Sequence, residues 1–460
     1  MPLAALREIL AAAGLDAPEA PQITGADPVL PTHYRVGTAG AASLAALGVG
    51  ISQLGELRGL RAQKVAVDLR AATLSLRSSR YMRIDGNPPP PVWDPLSGYY
   101  PVRDGWISIH CNFPNHRDAA MKVLQSVHDR KAAEEKSAAW TGEALEDAIH
   151  AAGGCAGFVR RHEDWDRHAQ GKAVAAQPLI EIARIGDAPP EKVSDAKRPL
   201  QGVRVLDLTR VLAGPACARS LAEHGADVLK IGASHLPDLG AVELDTGIGK
   251  LSARLDLRTS SAVSTLKNLA KEADVFSQSY RPGSLAARGF SPEALAALRP
   301  GIVCVSLSAW GGSGPWQERR GYDSIVQAVS GMAQASGDGT KPKLLPVSAI
   351  DYVSGYLMAF GATVALARRA REGGSWQVRV ALARVGRWIV DRGVLPQETL
   401  QNVPAEVSKE ELEPLMGEMD APAARIRYLR PVLHLSQTPP YWARPPVPLG
   451  THPPAWPERN

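Results

Sequence analysis

Apolar positions recur with two different spacings along the chain, and the way these alternate suggests how it is organised. Leu44 to Leu57 predicts a helix, and Val65-Ala66-Val67-Asp68-Leu69 places apolar residues at every second position, as a strand does. Gly98-Tyr99-Tyr100-Pro101-Val102-Arg103-Asp104-Gly105-Trp106-Ile107-Ser108-Ile109 predicts a hairpin, with Asp104-Gly105 at a positive-φ turn. Charged helical stretches follow, such as Thr141 to Ala152, before Asp187-Ala188-Pro189-Pro190-Glu191-Lys192 breaks the pattern as a linker. Beyond it, strands are predicted at Val203–Leu208, Asp227–Ile231, Ala273–Phe276 and Ile302–Leu307, with helices at Ala216–His224, Ala262–Glu272 and Pro292–Leu298. This alternation has βαβ spacing, which predicts a parallel sheet wound with helices and ligands at the carboxyl ends of its strands.

The last helix in this series starts near Asp351, a lone carboxylate where Leu345-Pro346-Val347-Ser348-Ala349-Ile350 gives way to an Ala- and Leu-rich stretch. A carboxylate at that boundary fits two roles: an N-cap accepting backbone N–H bonds, or a nucleophile at a helix mouth. An internal repeat bears on the choice. Thr38 to Leu69 aligns without gaps on Asp351 to Leu382, so that Gly48 meets Gly361, while Val65, Val67 and Leu69 meet Val378, Val380 and Leu382. Thr38 takes the place of Asp351, and only one copy carries the carboxylate.

A length of 460 residues, 45% apolar and 22% charged, accommodates two domains with buried cores. The net charge of +5 is spread out, with no basic block interleaved with aromatics, so no nucleic-acid partner is expected. Cys111, Cys155, Cys217 and Cys304 have neither Cys-x-x-Cys nor metal-ligand spacing, which predicts buried reduced thiols and no metal, in a cytoplasmic setting. Met1 to Leu15, with Arg7 and Glu8, predicts a short amphipathic helix unlike a signal peptide. No run of ~18 uninterrupted apolar residues occurs, so no membrane span is expected.

From Arg198 to about Leu382 the chain resembles the family III CoA-transferases (the CaiB/BaiF family), through seven motifs in the family's order. These are Pro199 to Pro215; His224-Gly225-Ala226-Asp227-Val228-Leu229-Lys230-Ile231; Gly249-Lys250 before Leu255-Asp256-Leu257-Arg258; Ala273-Asp274-Val275 before Tyr280-Arg281-Pro282-Gly283; Gly311-Gly312-Ser313-Gly314-Pro315; Arg320-Gly321-Tyr322-Asp323 before Gln327-Ala328; and Asp351 with Gly355 and Gly361. The resemblance implies an α/β fold, with a Rossmann-like doubly wound parallel sheet in a large domain and a smaller α+β domain, in an intertwined dimer. It also implies an unusual domain order. Residues 1–190 form a partial first copy without the aspartate but with the small domain. Residues 198–390 form the CoA-binding domain with the aspartate, and residues 391–460 a Pro-rich returning segment.

What the resemblance implies chemically is a transfer of CoA from an acyl-CoA to a carboxylic acid through an aspartyl-CoA intermediate on Asp351, part of acyl-CoA metabolism. CoA would lie along Leu212, Ala213, Leu255, Asp256, Leu257, Arg258, Ser279, Tyr280, Arg281, Arg320, Gly321, Tyr322 and Asp323, with Arg258, Arg281 and Arg320 on phosphates. The Gly311–Gly314 loop would approach or close over the acyl group. CoA and acyl-CoA are then substrates rather than a resident cofactor, and the partner is a second copy or a related subunit. Two alternatives stay open: an acyl-CoA-binding assisting subunit without activity, and an α-methylacyl-CoA racemase-like enzyme, which the Tyr at 322 in place of that group's His disfavours. The chain departs from the family at Gly232-Ala233 and at Gly247, positions near the expected CoA grip.

Overall fold

The computed structural model describes residues 1–16, 20–237, 239–422 and 424–458. Two long helices, Val36–Glu56 and Ala349–Glu372, pack against each other at its centre. Both are rich in Ala, Gly, Leu and Val and are buried on almost every side, as core helices are. By length and composition alone either would be long and apolar enough to cross a membrane, a feature not anticipated from uninterrupted apolar runs, and 94% of each such stretch is buried within the protein. Interspersed Gly, Ser and Thr break the runs without making the helix surfaces polar.

Against the Ala349–Glu372 helix lies a seven-stranded sheet, in the order Lys250–Arg254, Asp227–Gly232, Arg204–Leu208, Val275–Gln278, Val303–Ser308, Ser375–Ala381 and Glu181–Gly186. The first six strands are parallel and the last is antiparallel. Arg204–Leu208 is buried at every position, as a central parallel strand covered on both faces should be. Helices Ala213–Ala222, Ser260–Lys271 and Pro292–Leu298 connect the strands, giving a mixed α/β fold with a large, mostly parallel sheet. Strand order reverses between Arg204–Leu208 and Val275–Gln278.

A smaller α+β unit precedes this sheet in sequence. Strands Gly98–Val102, Gly105–Ile109 and Ala156–Phe158 pair antiparallel, and helices Pro114–Leu124, Arg130–Ser137 and Gly142–Ala151 complete a separate apolar core with them. Val102 pairs with Gly105, so the hairpin turns at Arg103-Asp104, one residue earlier than expected. The Asp104 carboxylate accepts the Gly142 N–H at 2.8 Å, which draws it into capping the Gly142–Ala151 helix.

The internal repeat has a structural counterpart. A three-stranded sheet, Gln22–Thr24, Val65–Asp68 and Leu433–Leu435, has one parallel and one antiparallel pairing, in the same sense as Val303–Ser308, Ser375–Ala381 and Glu181–Gly186. A side chain at Gly48 would strike Val65 and Leu433, and one at Gly361 would strike Val378 and Ile180. The two glycines thus meet corresponding partners, and only a residue without Cβ lets each helix lie this close to the strand that follows it. Connectivity crosses between the two sheets. Glu181–Gly186, from the first part of the chain, closes the large sheet, whereas Leu433–Leu435, from its end, closes the small one.

The Pro-rich tail is laid along the large sheet. The Trp442 indole donates to the Arg219 carbonyl at 3.0 Å, Arg444 pairs with Asp227 at 2.8 Å, and the His452 N–H reaches the Ser252 carbonyl at 2.8 Å.

Candidate active site

Six parallel strands aim their carboxyl ends at one cavity of about 570 Å³. Its walls are Leu208 and Arg210–Ala213, Ile231–Ala233, Leu255–Arg258, Ser279–Pro282, Leu307–Ala309 and Leu382, each group just beyond a strand. A crevice at the reversal of strand order is where open α/β sheets bind ligands. Leu212, Ala213, Leu255, Asp256, Leu257, Arg258, Ser279, Tyr280, Arg281, Arg320, Gly321, Tyr322 and Asp351 all line it. Val211 lines it too, and its φ of 70° is a strained conformation for a β-branched residue that no sequence signal reveals.

Asp351 is the third residue of its helix and does not cap it; the N-cap is Ser348, which makes no side-chain capping bond. The cap comes from elsewhere. Asp323, at the start of the Asp323–Val329 helix, accepts the Asp351 N–H at 3.1 Å and the Ile350 N–H, and is itself held by the Gln327 amide. Asp323 therefore does not line the cavity, contrary to its expected place along CoA, because its carboxylate is committed to the mouth of the neighbouring helix. This leaves the Asp351 carboxylate free of capping duty, on the cavity wall and only 8% exposed.

Electrostatics follow from this pairing. Burial, and then the neighbouring Asp323, hold the Asp351 carboxyl well above the usual carboxylate range. Asp323 is pushed up to about 6 by burial, against the hydrogen bonds from Gln327 and the two backbone N–H groups. Two carboxyls this close titrate as a pair and resist carrying two negative charges. Deprotonated Asp351, with little water around it, would be a reactive nucleophile toward an electrophilic carbonyl.

The opposite charge is close by. Among the described residues, the Arg281 and Arg320 guanidiniums have no carboxylate partner, and burial together with Arg281 pushes Arg320 down. Arg258 is less available, since it forks onto the Asp256 carboxylate at 2.6 Å. Ser279 accepts the Arg210 N–H at 3.1 Å and so steadies the turn after the Arg204–Leu208 strand.

Several residues were not visible as site residues in the sequence. Phe113, Asn115 and His116, from the smaller unit, line the same cavity. His110 stacks on Tyr322 with ring centroids 4.0 Å apart, and Phe113 and His116 flank Tyr322 at 5.9 Å each. Only the tertiary fold brings them there.

The Gly311–Gly314 loop is held by Gln170. Gln170 donates to the Trp310 carbonyl at 3.0 Å and to the Ser313 carbonyl at 2.9 Å, and accepts the Trp316 N–H at 2.7 Å. So clamped, Gly311, Gly312 and Ser313 line an adjoining cavity of about 510 Å³ and not the one that holds Asp351. Lys250, in the Gly-Lys motif, is wholly buried on Asp207 at 2.8 Å and the Pro215 carbonyl at 2.9 Å, under the first turn of Ala213–Ala222. The departure at Gly232 has a steric reason: a Cβ there would lie 2.7 Å from Leu449 of the returning tail. All four cysteines are free and buried, and among the described residues no cluster of His, Cys, Asp and Glu could hold a metal ion.

Comparison with known proteins agrees with this reading. Residues 200–422 match the sequence profile of CoA-transferase family III. The acetyl-coenzyme A transferase nodX of Hypoxylon pulicicidum is 35% identical over 208 residues, 44% of this chain and 35% of that one. The probable fatty acyl-CoA transferase Rv3272 of Mycobacterium tuberculosis is 34% identical over 204 residues, 41% of this chain and 52% of that one. An acyl-CoA transferase of Gibberella moniliformis aligns over 395 residues at 29% identity, 75% of this chain and 69% of that one. The chain thus spans between a third and about half the length of the first two relatives. Asp351, Arg281 and Arg320 fall within the segment that matches the family III profile, while Phe113, Asn115 and His116 of the cavity wall lie outside it.

Proposed function

We propose that the protein is a CoA-transferase that moves CoA from an acyl-CoA to a carboxylic acid through an aspartyl-CoA thioester on Asp351. The observation that supports it most is the release of Asp351 from capping by Asp323, which leaves a buried, uncommitted carboxylate beside two unpaired arginines at the end of a parallel sheet.

In the first step the Asp351 carboxylate attacks the thioester carbonyl. A C–O bond forms, the C–S bond breaks, and CoA leaves as thiolate with a mixed anhydride behind it. The thiolate then attacks the aspartyl carbonyl, giving aspartyl-CoA and releasing the first acid as its carboxylate. The second acid's carboxylate repeats the sequence in reverse and departs with CoA, restoring Asp351. Dividing the exchange into anhydride and thioester steps keeps each barrier small. Arg281 and Arg320 suit the phosphates of CoA, whose charge they would neutralise. The first-turn N–H groups of Ala213–Ala222, which no side chain caps, offer a further anion site.

CoA and acyl-CoA are substrates in this scheme, and no resident cofactor takes part in it. The interlocking that the resemblance implies for two chains has a counterpart inside this one, where Glu181–Gly186 and Leu433–Leu435 are exchanged between sheets. A lone chain is therefore proposed to be competent, with a second copy or a related subunit as an additional partner. Incubation with a panel of acyl-CoAs and acids, hydroxylamine trapping and peptide mass spectrometry tests the proposal. A hydroxamate on the peptide containing Asp351 supports it, and failure of every acyl-CoA to bind or label defeats it.

A further inference from the structure

The rings around Tyr322 carry one feature that packing does not explain. His110, Phe113 and His116 come from the segment that runs into the Pro114–Leu124 helix and pack around Tyr322, with Phe113, His116 and Tyr322 on the wall of the Asp351 cavity. Phenylalanine would fill such a wall equally well. His116 is 95% buried by its 5% exposure, lines the cavity together with Asp351, and leaves its Nδ1 buried with no hydrogen-bond partner among the described residues.

Leaving a polar nitrogen buried and unpaired is a desolvation cost that phenylalanine at this position would avoid. The protonation state can be reasoned out. Burial, and then Arg320, Arg210, His150 and Arg281, push His116 down to about 4, so the ring is neutral at ordinary pH. A buried N–H without an acceptor is worse tolerated than a buried lone pair. The single ring proton therefore belongs on Nε2, the ring nitrogen that is not enclosed without a partner.

We propose that His116 is a substrate-contacting hydrogen-bond donor, its Nε2–H directed at an oxygen of the acyl group that Asp351 attacks. The inference rests on the transferase reading and deepens it, since it takes a residue from the first part of the chain into the chemistry of the second. The oxygen belongs either to the thioester carbonyl of the acyl-CoA or to the carboxylate of the acceptor acid. Both present the same acceptor to a neutral donor, and a neutral donor stabilises a developing oxyanion without drawing a proton from Asp351.

His116→Phe keeps an aromatic ring and removes the nitrogens, while His116→Gln restores an amide N–H near the Nε2 position. The first variant is expected to lower turnover by about 10²-fold, in the range seen when one such donor is removed. Free CoA binding, followed by calorimetry, should be unchanged, and the second variant should recover part of the loss. A slower hydroxamate burst on Asp351 assigns the contact to the thioester; a raised KM for the acid at an unchanged burst assigns it to the acceptor. Turnover, burst and both KM values at the unaltered protein's level in His116→Phe overturn the inference and leave the transferase standing. If the unaltered protein neither labels Asp351 nor binds any acyl-CoA, both fall.

Discussion

The mouths of the two central helices are capped in the same way but meet the cap with different side chains. At the first, Asp27 accepts the Gly37 and Thr38 N–H groups at 2.9 Å each, and the Thr38 hydroxyl donates to it at 2.7 Å. At the second, Asp323 accepts the Ile350 and Asp351 N–H groups, and a carboxylate stands where the hydroxyl was. In both copies an acid from outside the helix caps it at matching positions. Threonine completes that cap and is consumed by it. Aspartate cannot donate when charged, so it is repelled by the capping acid and turned toward the cavity. Threonine at one position and aspartate at its counterpart thus separate a structural mouth from one available for chemistry.

The sharpest test of that difference removes each residue in turn. Asp351→Ala should abolish hydroxamate formation and lower turnover by on the order of 10⁴-fold or more, as loss of a covalent nucleophile does. The next effect lies at the cavity, where the second copy alone is proposed to grip CoA. Arg281→Ala and Arg320→Ala should each raise the Kd for acyl-CoA about ten- to a hundredfold, the worth of a hydrogen bond to a charged group, with a weaker salt dependence in titration calorimetry.

Exchanging the capping acids should separate the copies by pH. Asp323→Asn removes the charge that opposes ionisation of Asp351, so the acid limb of the kcat/KM profile should move to lower pH, with turnover down about tenfold from a looser helix mouth. Asp27→Asn should leave that limb in place and appear only as a stability loss of about 1–2 kcal/mol on denaturant unfolding.

Stability carries its own signature. A carboxyl held above its unfolded value costs nothing below about pH 4, where both states are protonated, and costs progressively more as pH rises toward its folded value. Asp351→Asn should therefore melt higher than the unaltered protein at pH 8, with the gain shrinking toward pH 4. The smallest effect is expected from Thr38→Val, about 1 kcal/mol less stable through loss of one hydrogen bond, with turnover unchanged.

Period and spacing were enough to recover the parallel sheet, because Val203–Leu208 and its successors repeat the βαβ rhythm and are buried as that rhythm requires. The repeat register was legible for the same reason: Gly48 and Gly361 are fixed by the strand that follows each. What stayed hidden depends on contacts between distant residues. Nothing local marks Asp323 as the cap of a helix 28 residues on, or draws His116 from another unit to Tyr322. Asp351 could be singled out as a candidate nucleophile, yet its freedom from capping could not, since that freedom is granted by another residue. The neighbour of the Gly311–Gly314 loop stayed hidden because glycine signals permissive backbone and not the residue it turns to, here Gln170.

The exchanged strands make the chain hard to divide. A cut in the stretch between Gly186 and Arg204 would separate two pieces that each retain an edge strand belonging to the other's sheet. Neither piece could then close its own hydrogen-bond ladder alone, while together they could reassemble without the peptide bond. Joining them in one polypeptide converts what would be a concentration-dependent meeting into an intramolecular one, at an effective concentration of about millimolar for a short linker. Dilution would therefore not separate the helix that carries Asp351 from the one that carries Thr38.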